Sequence, residues 1–184
     1  WSPDPRCAIE PATFVPSKSL VRTRRQTGWR FSCNKVFADV IDACAAPRPY
    51  TDDTWITAEI QAGYTALHKL GWAQSIEVWR EDVLVGGLYG VTVGGIFCGE
   101  SMFSRCRDAS KLAFWALMSL SRAWQVELVD CQLENDHLLS LGATIMSRND
   151  YLALLAQQPE TPTLPWSQAH STLAANGFAV AEVL

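Results

Sequence analysis

Short apolar runs alternate with segments of helical periodicity along this chain. Runs typical of strands occupy residues 30–33 and 125–132. Residues 75–79 and 83–89 are typical of a hairpin, and a second strand pair through residues 91–97 turns at Gly94-Gly95. Helical spacing of apolar positions predicts helices over residues 35–45, 108–124 and 149–157. A further predicted helix is capped by Thr54 or Thr57 and ends at Gly71. This order of elements predicts an α/β (α+β) fold in which helices flank a mixed sheet.

Glycine is concentrated in one part of the predicted sheet. Six of the eleven glycines lie within residues 86–99. Glycine inside strands indicates bulges, or places where backbone or ligand approaches closely. A phosphate loop is excluded, because neither G-x-x-x-x-G-K-[ST] nor a G-x-G-x-x-G that opens a helix is present.

The composition favours one soluble domain. The 184 residues are 48% hydrophobic and 18% charged, which is typical of a globular protein with a full core. We expect a single domain over residues 1–184, with a basic segment at 1–36 and a proline-rich linker and tail at 158–184. No apolar run approaches the length of a membrane span and nothing resembles a signal peptide, so we expect a cytoplasmic location.

The six cysteines form no recognisable metal-binding pattern. They are scattered, without a C-x-x-C pair or a histidine at metal-ligand spacing. We therefore expect reduced thiols and predict neither a metal nor a cofactor.

Basic residues cluster near the start, although the formal net charge is −4. Six of them, and no acidic residue, lie between Glu10 and Asp39. A basic segment on an acidic protein is typical of a surface that binds a polyanion, most often nucleic acid. The alternative is a solvated loop without a partner.

The strand predicted over residues 125–132 has two polar residues, Asp130 and Gln132, near its end. Strand alternation places Asp130 and Gln132 on one face and turns Cys131 away, which disfavours a thiol nucleophile. Open α/β sheets bind ligands beyond the carboxyl ends of their strands, so a carboxylate and an amide here indicate a site. The alternative is ordinary turn chemistry, in which Asp130 caps the following turn and Gln132 bonds to loop backbone.

Six motifs of unusual composition occur in order along the chain. They are Trp-Ser-Pro-Asp-Pro-Arg (1–6), Thr-Trp-Ile-Thr (54–57), Ser-Ile-Glu-Val-Trp (75–79), Leu-Val-Gly-Gly-Leu-Tyr-Gly-Val (84–91), Phe-Cys-Gly-Glu-Ser-Met-Phe-Ser (97–104) and Asp-Cys-Gln (130–132), the last followed by Asn135, Asp136 and His137. Together they resemble the leucyl/phenylalanyl-tRNA–protein transferase family. The resemblance extends from Trp1 to about Tyr151.

The resemblance implies both a fold and an activity. The fold is GNAT-like, with the donor bound at a splayed pair of strands in a mixed sheet. The activity is aminoacyl transfer of Leu or Phe from aminoacyl-tRNA to the N-terminal Arg or Lys of a protein, which marks that protein for N-degron proteolysis. Apolar pockets discriminate weakly among similar side chains, so methionine is expected to be transferred too.

The transfer reaction makes modest chemical demands. A free α-amine attacks an activated ester, so the step needs a neutral amine but neither ATP nor a metal. An α-amino pKa near ~7.7–8.0 leaves a useful fraction neutral. Gln132 has no basic nitrogen and is expected to orient the amine. Asp130 is expected to polarise Gln132 or to accept the proton through it or a water, Glu100 to hold a cationic amine, and Asn135 to complete the hydrogen-bonding set.

The resemblance also implies binding residues. Those that match the family's amino-acid pocket are Leu88, Phe97, Gly99, Met102, Phe114, Leu117 and Val129. Trp55 matches a residue that stacks on the terminal adenine of the tRNA. Lys18, Arg22 and Arg25 match positions that contact the tRNA stem through its backbone.

Some features depart from the family pattern, and two other functions stay open. We expect the family's small N-terminal domain to be absent, and residues after Gln157 match nothing in the pattern. An acetyl-CoA-dependent N-acetyltransferase of this fold would require a Gln/Arg-x-x-Gly-x-Gly/Ala loop, where the chain has Ser-Arg-Cys-Arg (104–107). A non-catalytic RNA-binding domain would use the basic segment and Trp55, but would not require Asp130, Gln132 and Glu100 near one apolar cavity.

Overall fold

A seven-stranded sheet forms the centre of the molecule in a computed structural model that describes residues 3–47 and 54–181. Within these ranges the strands are β1 (Arg6–Ile9), β2 (Trp29–Cys33), β3 (Ala73–Arg80), β4 (Val83–Val93), β5 (Ile96–Ser104), β6 (Val129–Gln132) and β7 (Thr144–Met146). The α-helices are α1 (Lys18–Arg24), α2 (Phe37–Ala45), α3 (Ala58–Lys69), α4 (Ala109–Ala123), α5 (Asp136–Ser140), α6 (Arg148–Ala156) and α7 (Ala169–Ala175). The predicted α/β class is confirmed.

The sheet has a single parallel pair of neighbouring strands among those described. Its order is β2-β3-β4-β5-β6-β1-β7, and β5 and β6 are the parallel pair. Only Phe97 with Val129 and Cys98 with Asp130 are paired between them. Beyond these residues the two strands diverge, which gives the splayed pair that a GNAT-like fold predicts.

The two predicted hairpins are present and explain the cluster of glycines. Strands β3, β4 and β5 follow one another antiparallel, and the register shifts once in each pair. A Cβ atom at Gly86 would lie 2.6 Å from the Cβ of Ala109, and one at Gly90 would lie 2.3 Å from the carbonyl oxygen of Cys98. The expected bulges and close approaches are therefore confirmed.

Helices cover both faces of the sheet. Helix α4 packs on β3, β4 and β5 from one side, while α2 and α3 pack on the other side around the buried ring of Tyr89. Of the two candidate caps for α3, the structure uses Thr57, whose hydroxyl accepts a hydrogen bond from the backbone N–H of Ile60. No α-helix among the described residues has the length and apolar character needed to cross a membrane.

Several short elements were not predicted from the sequence. The chain start contains β1, whose four residues are all buried between β6 and β7. The basic segment contains α1, and the turn after β6 contains α5 and β7. The strand expected over residues 125–132 begins only at Val129, because α4 extends to Ala123 and a turn follows in which Gln125 has a φ of +57°.

The described residues after α6, 157–181, pack back onto the sheet. Trp166 contacts the rings of Phe97 and Trp124, with centroids 5.7 and 5.1 Å away. Val180 bridges to Phe31 in parallel, and the backbone N–H of Phe31 donates to the carbonyl of Ala179 at 2.8 Å. The end of this segment, at Ala179 and Val180, therefore lies beside β2 at one edge of the sheet.

Candidate active site

A cavity of about 930 Å³ lies where β5 and β6 diverge. Its walls come from the end of α2, from β4, β5 and α4, and from the residues at and after the end of β6. The predicted site residues that line it are Trp55, Leu88, Phe97, Gly99, Glu100, Met102, Phe114, Leu117, Val129, Gln132 and Asn135. Asp130 does not line it, and Lys18, Arg22 and Arg25 lie at α1.

One part of the cavity wall is apolar and almost inaccessible to water. Phe114 and Leu117 are three residues apart on α4, so they lie on one face of the helix. They share a core cluster with Phe97 of β5, and none of the three is more than 3% exposed. Such a wall suits an aliphatic or aromatic side chain of a ligand.

Both strands that form the cavity carry an extra residue. In β5, Ser101 pairs with Tyr89 and Gly99 with Gly90, so Glu100 is the unpaired residue of a β-bulge. In β6, opposite β1, Cys131 is skipped in the same way. A bulge re-aims side chains because it breaks the alternation of the strand.

The bulge makes the predicted alternation of β6 wrong. Gln132 has a φ of +65°, and both it and Cys131 line the cavity, whereas Asp130 does not. Two predictions are therefore incorrect. Asp130 and Gln132 do not share a face, and Cys131 is not turned away from the cavity. A one-residue bulge followed by a left-handed residue is invisible to a two-residue period.

Asp130 is fully buried and accepts hydrogen bonds from four donors. Oδ1 accepts from Nε of Arg6 and from the backbone N–H of Gln132, both at 2.9 Å. Oδ2 accepts from Nη2 of Arg6 and from the hydroxyl of Tyr151, the latter at 3.0 Å. The guanidinium of Arg6 also lies 4.4 Å from the centroid of the Tyr151 ring. Asp130 is thus an anchored carboxylate behind the cavity wall.

The turn chemistry considered as an alternative is also present. Asp130 accepts from the N–H two residues later, and the Gln132 amide donates through Nε2 to the carbonyl of Gly99 at 3.1 Å. Asn135 caps α5 by accepting from the N–H of Leu138 at 2.9 Å. Local hydrogen bonding and position at the cavity therefore coexist in Gln132 and Asn135.

Glu100 is the carboxyl group of the cavity wall. It is half-buried, and burial raises its pKa above the ordinary value. Hydrogen bonds with Tyr64 and Gln132 lower the pKa in opposition, while the nearby charge of Asp130 raises it further. A carboxyl with a raised pKa at a cavity is suited to hold a cationic amine or to exchange a proton with it.

The thiols near the cavity are poor nucleophiles. Burial, with a smaller effect of the Asp130 charge, raises the pKa of Cys98 to about 12. Burial also raises the pKa of Cys131. A thiol with a raised pKa carries little thiolate, so the rejection of thiol chemistry stands on this ground instead of on strand alternation.

Several polar groups near the cavity were not predicted from the sequence. His137, noted only as part of a motif, lines it, and burial together with the Lys111 charge lowers its pKa. Tyr89 also lines it, and its buried hydroxyl has no hydrogen-bond partner in the described part of the chain. Tyr64 hydrogen-bonds with Glu100 from α3. Tyr89 belongs to the motif of residues 84–91, which could have indicated a role for it. Tyr64 lies in α3, where nothing in the sequence distinguished it.

The residues predicted to contact nucleic acid lie on two surfaces outside the apolar wall. Trp55 lines the cavity and is 51% exposed, so its ring is available to stack on a base. Lys18, Arg22 and Arg25 are exposed and follow a spacing of four and then three residues, which places them on one face of α1 and its C-cap. The side chain of Thr23 fixes α1 to α4 by donating to Asp108 at 3.1 Å.

Metal binding has no support in residues 3–47 and 54–181. No group of three or more His, Cys, Asp and Glu side chains there is arranged to hold a metal ion. None of the six cysteines, all of which lie in these ranges, forms a disulfide.

Two comparisons, one with family models and one with individual proteins, find the same family. Residues 8–156 match the family model described as leucyl/phenylalanyl-tRNA protein transferase. A leucyl/phenylalanyl-tRNA–protein transferase of Pseudomonas fluorescens is 50% identical over 90% of this chain and 74% of its own length. The protein of the same name from Tolumonas auensis is 49% identical over 87% of this chain and 68% of its own length.

A solved structure gives a much weaker likeness. L-PGS from Bacillus licheniformis is 12% identical, with a TM-score of 0.49, over 92% of this chain and 64% of its own. At that level of similarity no inference about function is drawn.

Proposed function

The chain belongs to the leucyl/phenylalanyl-tRNA–protein transferase family, and we propose that it transfers Leu, Phe or Met to an N-terminal Arg or Lys. Membership makes it an aminoacyltransferase that uses aminoacyl-tRNA and a protein acceptor. The observation that carries the finer proposal is the single cavity in which an apolar wall adjoins Gln132 and Glu100. The acetyltransferase and the simple RNA-binding domain are not favoured.

The apolar wall supports the proposed choice of donor. The cavity places Phe97, Phe114 and Leu117 around a space open to a branched or an aromatic side chain. Met102 is unbranched and Gly99 has no side chain, so the wall can adapt to either shape. Methionine has a similar volume and polarity, and an apolar pocket rejects it by only about 1–3 kcal/mol.

The tRNA is proposed to bind by its terminal base and its stem. The exposed ring of Trp55 at the cavity offers a stacking surface for the terminal adenine, worth about 1–3 kcal/mol. Lys18, Arg22 and Arg25 would contact phosphates from one face at α1. Phosphate contacts are indifferent to sequence, which suits an enzyme whose selectivity lies in the amino acid.

The acceptor amine is proposed to react beside Gln132. The Gln132 side chain donates through Nε2 to Gly99, so its carbonyl oxygen is the atom that can accept a hydrogen bond from the amine. In the reaction the amine nitrogen forms a bond to the ester carbonyl carbon, and the bond to the ribose oxygen breaks. The amine loses a proton and the leaving oxygen gains one.

Glu100 is proposed to receive the positive charge of the acceptor. The incoming α-amine is largely an ammonium ion at neutral pH, and its Arg or Lys side chain is cationic. A carboxylate at the cavity wall attracts both charges and can take the proton that the amine must lose. Asn135 lies nearby on the same cavity and adds a polar side chain at its wall.

The biological consequence follows from the acceptor. A new N-terminal Leu, Phe or Met would change the residue by which the acceptor is recognised for N-degron proteolysis. We place this activity in the cytoplasm, where aminoacyl-tRNA is available.

The proposal is tested with labelled Leu-tRNA and two peptides that differ only in an N-terminal Arg or Glu. Transfer to the Arg peptide alone is the expected result. Equal labelling of both peptides would refute the acceptor preference, and labelling of neither would refute the transferase activity. Binding of Leu-tRNA without transfer would point to the RNA-binding alternative, and labelling from acetyl-CoA to the acetyltransferase alternative.

The role of Gln132 is tested by removing its amide. Gln132→Met keeps the length of the side chain, and we expect transfer to fall by about tenfold to a hundredfold because the amine is no longer oriented. Gln168→Met, at an exposed glutamine away from the cavity, is the matched control and should transfer normally. Equal activity of the two variants would show that Gln132 has no role in the transfer step.

A further inference from the structure

We infer that Arg6 and Tyr151 are positioning residues for the transfer step, and that they act on Gln132 through the carboxylate of Asp130. Neither Arg6 nor Tyr151 lines the cavity, so neither touches a bound substrate there. The inference rests on the proposed aminoacyl transfer and on the proposed role of Gln132. It also assigns Asp130 a positioning role in place of the proton-accepting role expected from the sequence.

The Asp130 carboxylate has no capacity left for a substrate. An ionised carboxylate offers about four lone-pair directions. Arg6 occupies two, and the Tyr151 hydroxyl and the Gln132 backbone N–H occupy one each. The carboxylate is 0% exposed, and the guanidinium of Arg6 balances its charge.

Asp130 also stabilises an unusual backbone conformation at Gln132. Gln132 has a φ of +65°, a region that a residue with a side chain seldom adopts without external support. The bond from its N–H to Oδ1 of Asp130 fixes the peptide just before this left-handed residue. In a regular strand the Gln132 side chain would follow the alternation of β6, so this bond helps to direct its amide into the cavity.

Arg6 and Tyr151 hold Asp130 from two separate elements. Arg6 begins β1, which pairs with β6, while Tyr151 lies in α6. Arg6 donates hydrogen bonds to both carboxylate oxygens, and its guanidinium lies over the Tyr151 ring. Arg6, Asp130 and Tyr151 therefore form one packed unit. Burial raises the pKa of Tyr151, which keeps its hydroxyl protonated and able to donate.

The test compares Tyr151→Phe and Arg6→Lys with the wild type in single-turnover transfer of Leu from saturating Leu-tRNA to the Arg peptide. Loss of one bond in Tyr151→Phe should slow transfer about threefold to tenfold, and loss of the two-pronged grip in Arg6→Lys about tenfold to a hundredfold. The KM for Leu-tRNA and the shape of the pH profile should not change, because these groups neither bind tRNA nor accept the proton.

Arg122→Lys is the matched control for a structural arginine. Arg122 donates to the backbone carbonyls of Pro11, Ala12 and Phe14, away from the cavity. This variant should lower the melting temperature and leave the rate per folded molecule unchanged.

The outcomes separate the inference from the proposed function. If the wild type fails to transfer Leu, the proposed function fails. If the wild type transfers Leu but Tyr151→Phe and Arg6→Lys lower only the melting temperature, as Arg122→Lys does, the inference is overturned. A shift of the pH profile in Tyr151→Phe would also overturn it, because the Tyr151–Asp130 pair would then take part in proton transfer. The isosteric Tyr151→Phe keeps the test decisive even if Arg6→Lys does not fold.

Discussion

Two carboxylates lie fully buried in this sheet, and they have different partners. Glu77 in β3 accepts from the hydroxyls of Ser32 and Ser75, each at 2.5 Å, and from the backbone N–H of Lys35 at 3.5 Å. Asp130 in β6 accepts from a guanidinium, a phenol and the N–H of Gln132. None of the Glu77 partners lines the cavity, whereas Gln132 does.

Burial of a carboxylate is therefore a poor sign of function by itself. Both groups are 0% exposed, and both are satisfied by hydrogen bonds, as buried charges must be. What distinguishes Asp130 is that one of its hydrogen bonds ends on a residue of the cavity wall. Glu77 instead joins β2, β3 and the segment before α2, so we assign it to stability.

The largest expected effect is on Asp130. Asp130→Asn should lower the transfer rate per folded molecule by about a hundredfold, because the Gln132 peptide loses its anionic partner. It should leave the Kd for Leu-tRNA nearly unchanged, as measured by filter binding. A variant that instead loses tRNA affinity and keeps its rate would reverse the proposed roles of Asp130 and α1.

The matching change at Glu77 should affect folding alone. Glu77→Gln loses a charge-assisted hydrogen bond from a serine, so the free energy of unfolding should fall by about 1–3 kcal/mol. The measurement is urea denaturation beside single-turnover transfer. A fall in rate as large as that of Asp130→Asn would remove the distinction between the two carboxylates.

Glu100 extends the comparison to a half-buried carboxyl group at the cavity. Its pKa is raised in the folded state, mainly by burial, so the folded chain binds this proton more tightly than the unfolded chain. The stability that this group contributes is therefore full below the ordinary Glu pKa and is lost as pH rises through the raised pKa. Glu100→Gln should lack this loss, which melting curves across that range would measure.

The same substitution should also slow transfer. Glu100→Gln removes the charge that attracts the acceptor, so the rate at neutral pH should fall by about tenfold. An unchanged rate together with the altered stability profile would place Glu100 with Glu77 as a structural carboxyl group.

The smallest effect is expected from exposed charges. Arg22→Ala or Arg25→Ala should weaken Leu-tRNA binding a few-fold and lower the slope of log affinity against log salt by about one. Lys69→Ala, an exposed cation at the end of α3, is the control and should keep the full slope. If all three variants gave the same slope, α1 would not be the tRNA surface.

The periodic elements of the fold could be predicted from the sequence because their patterns are long. The hairpins of β3, β4 and β5 and the helix α4 each contain enough residues to show a period. Strands β1 and β7 have four and three residues, too few for a pattern, and they exist because neighbours pair with them. Helix α1 has one buried residue, Leu20, so its apolar stripe could not be recognised.

The candidate site could also be predicted from the sequence only in part. The ordered motifs and the resemblance based on them named residues far apart in the chain, and eleven of these line one cavity. The face of each β6 side chain could not be predicted, because one skipped residue at Cys131 reverses the alternation. Arg6 is 124 positions from Asp130 and Tyr151 is 21, and no local pattern joins groups so far apart.

The bulges at Glu100 and Cys131 are features of the backbone, distinct from the side chains that line the cavity. Close to the point of divergence, β5 has one residue more than its antiparallel partner β4, and β6 has one more than its antiparallel partner β1. The side chains that line the gap decide which donor fits. Substitutions in the lining leave these bulges in place, whereas deletion of the extra residue from either strand would remove its bulge and turn the side chains beyond it to the other face.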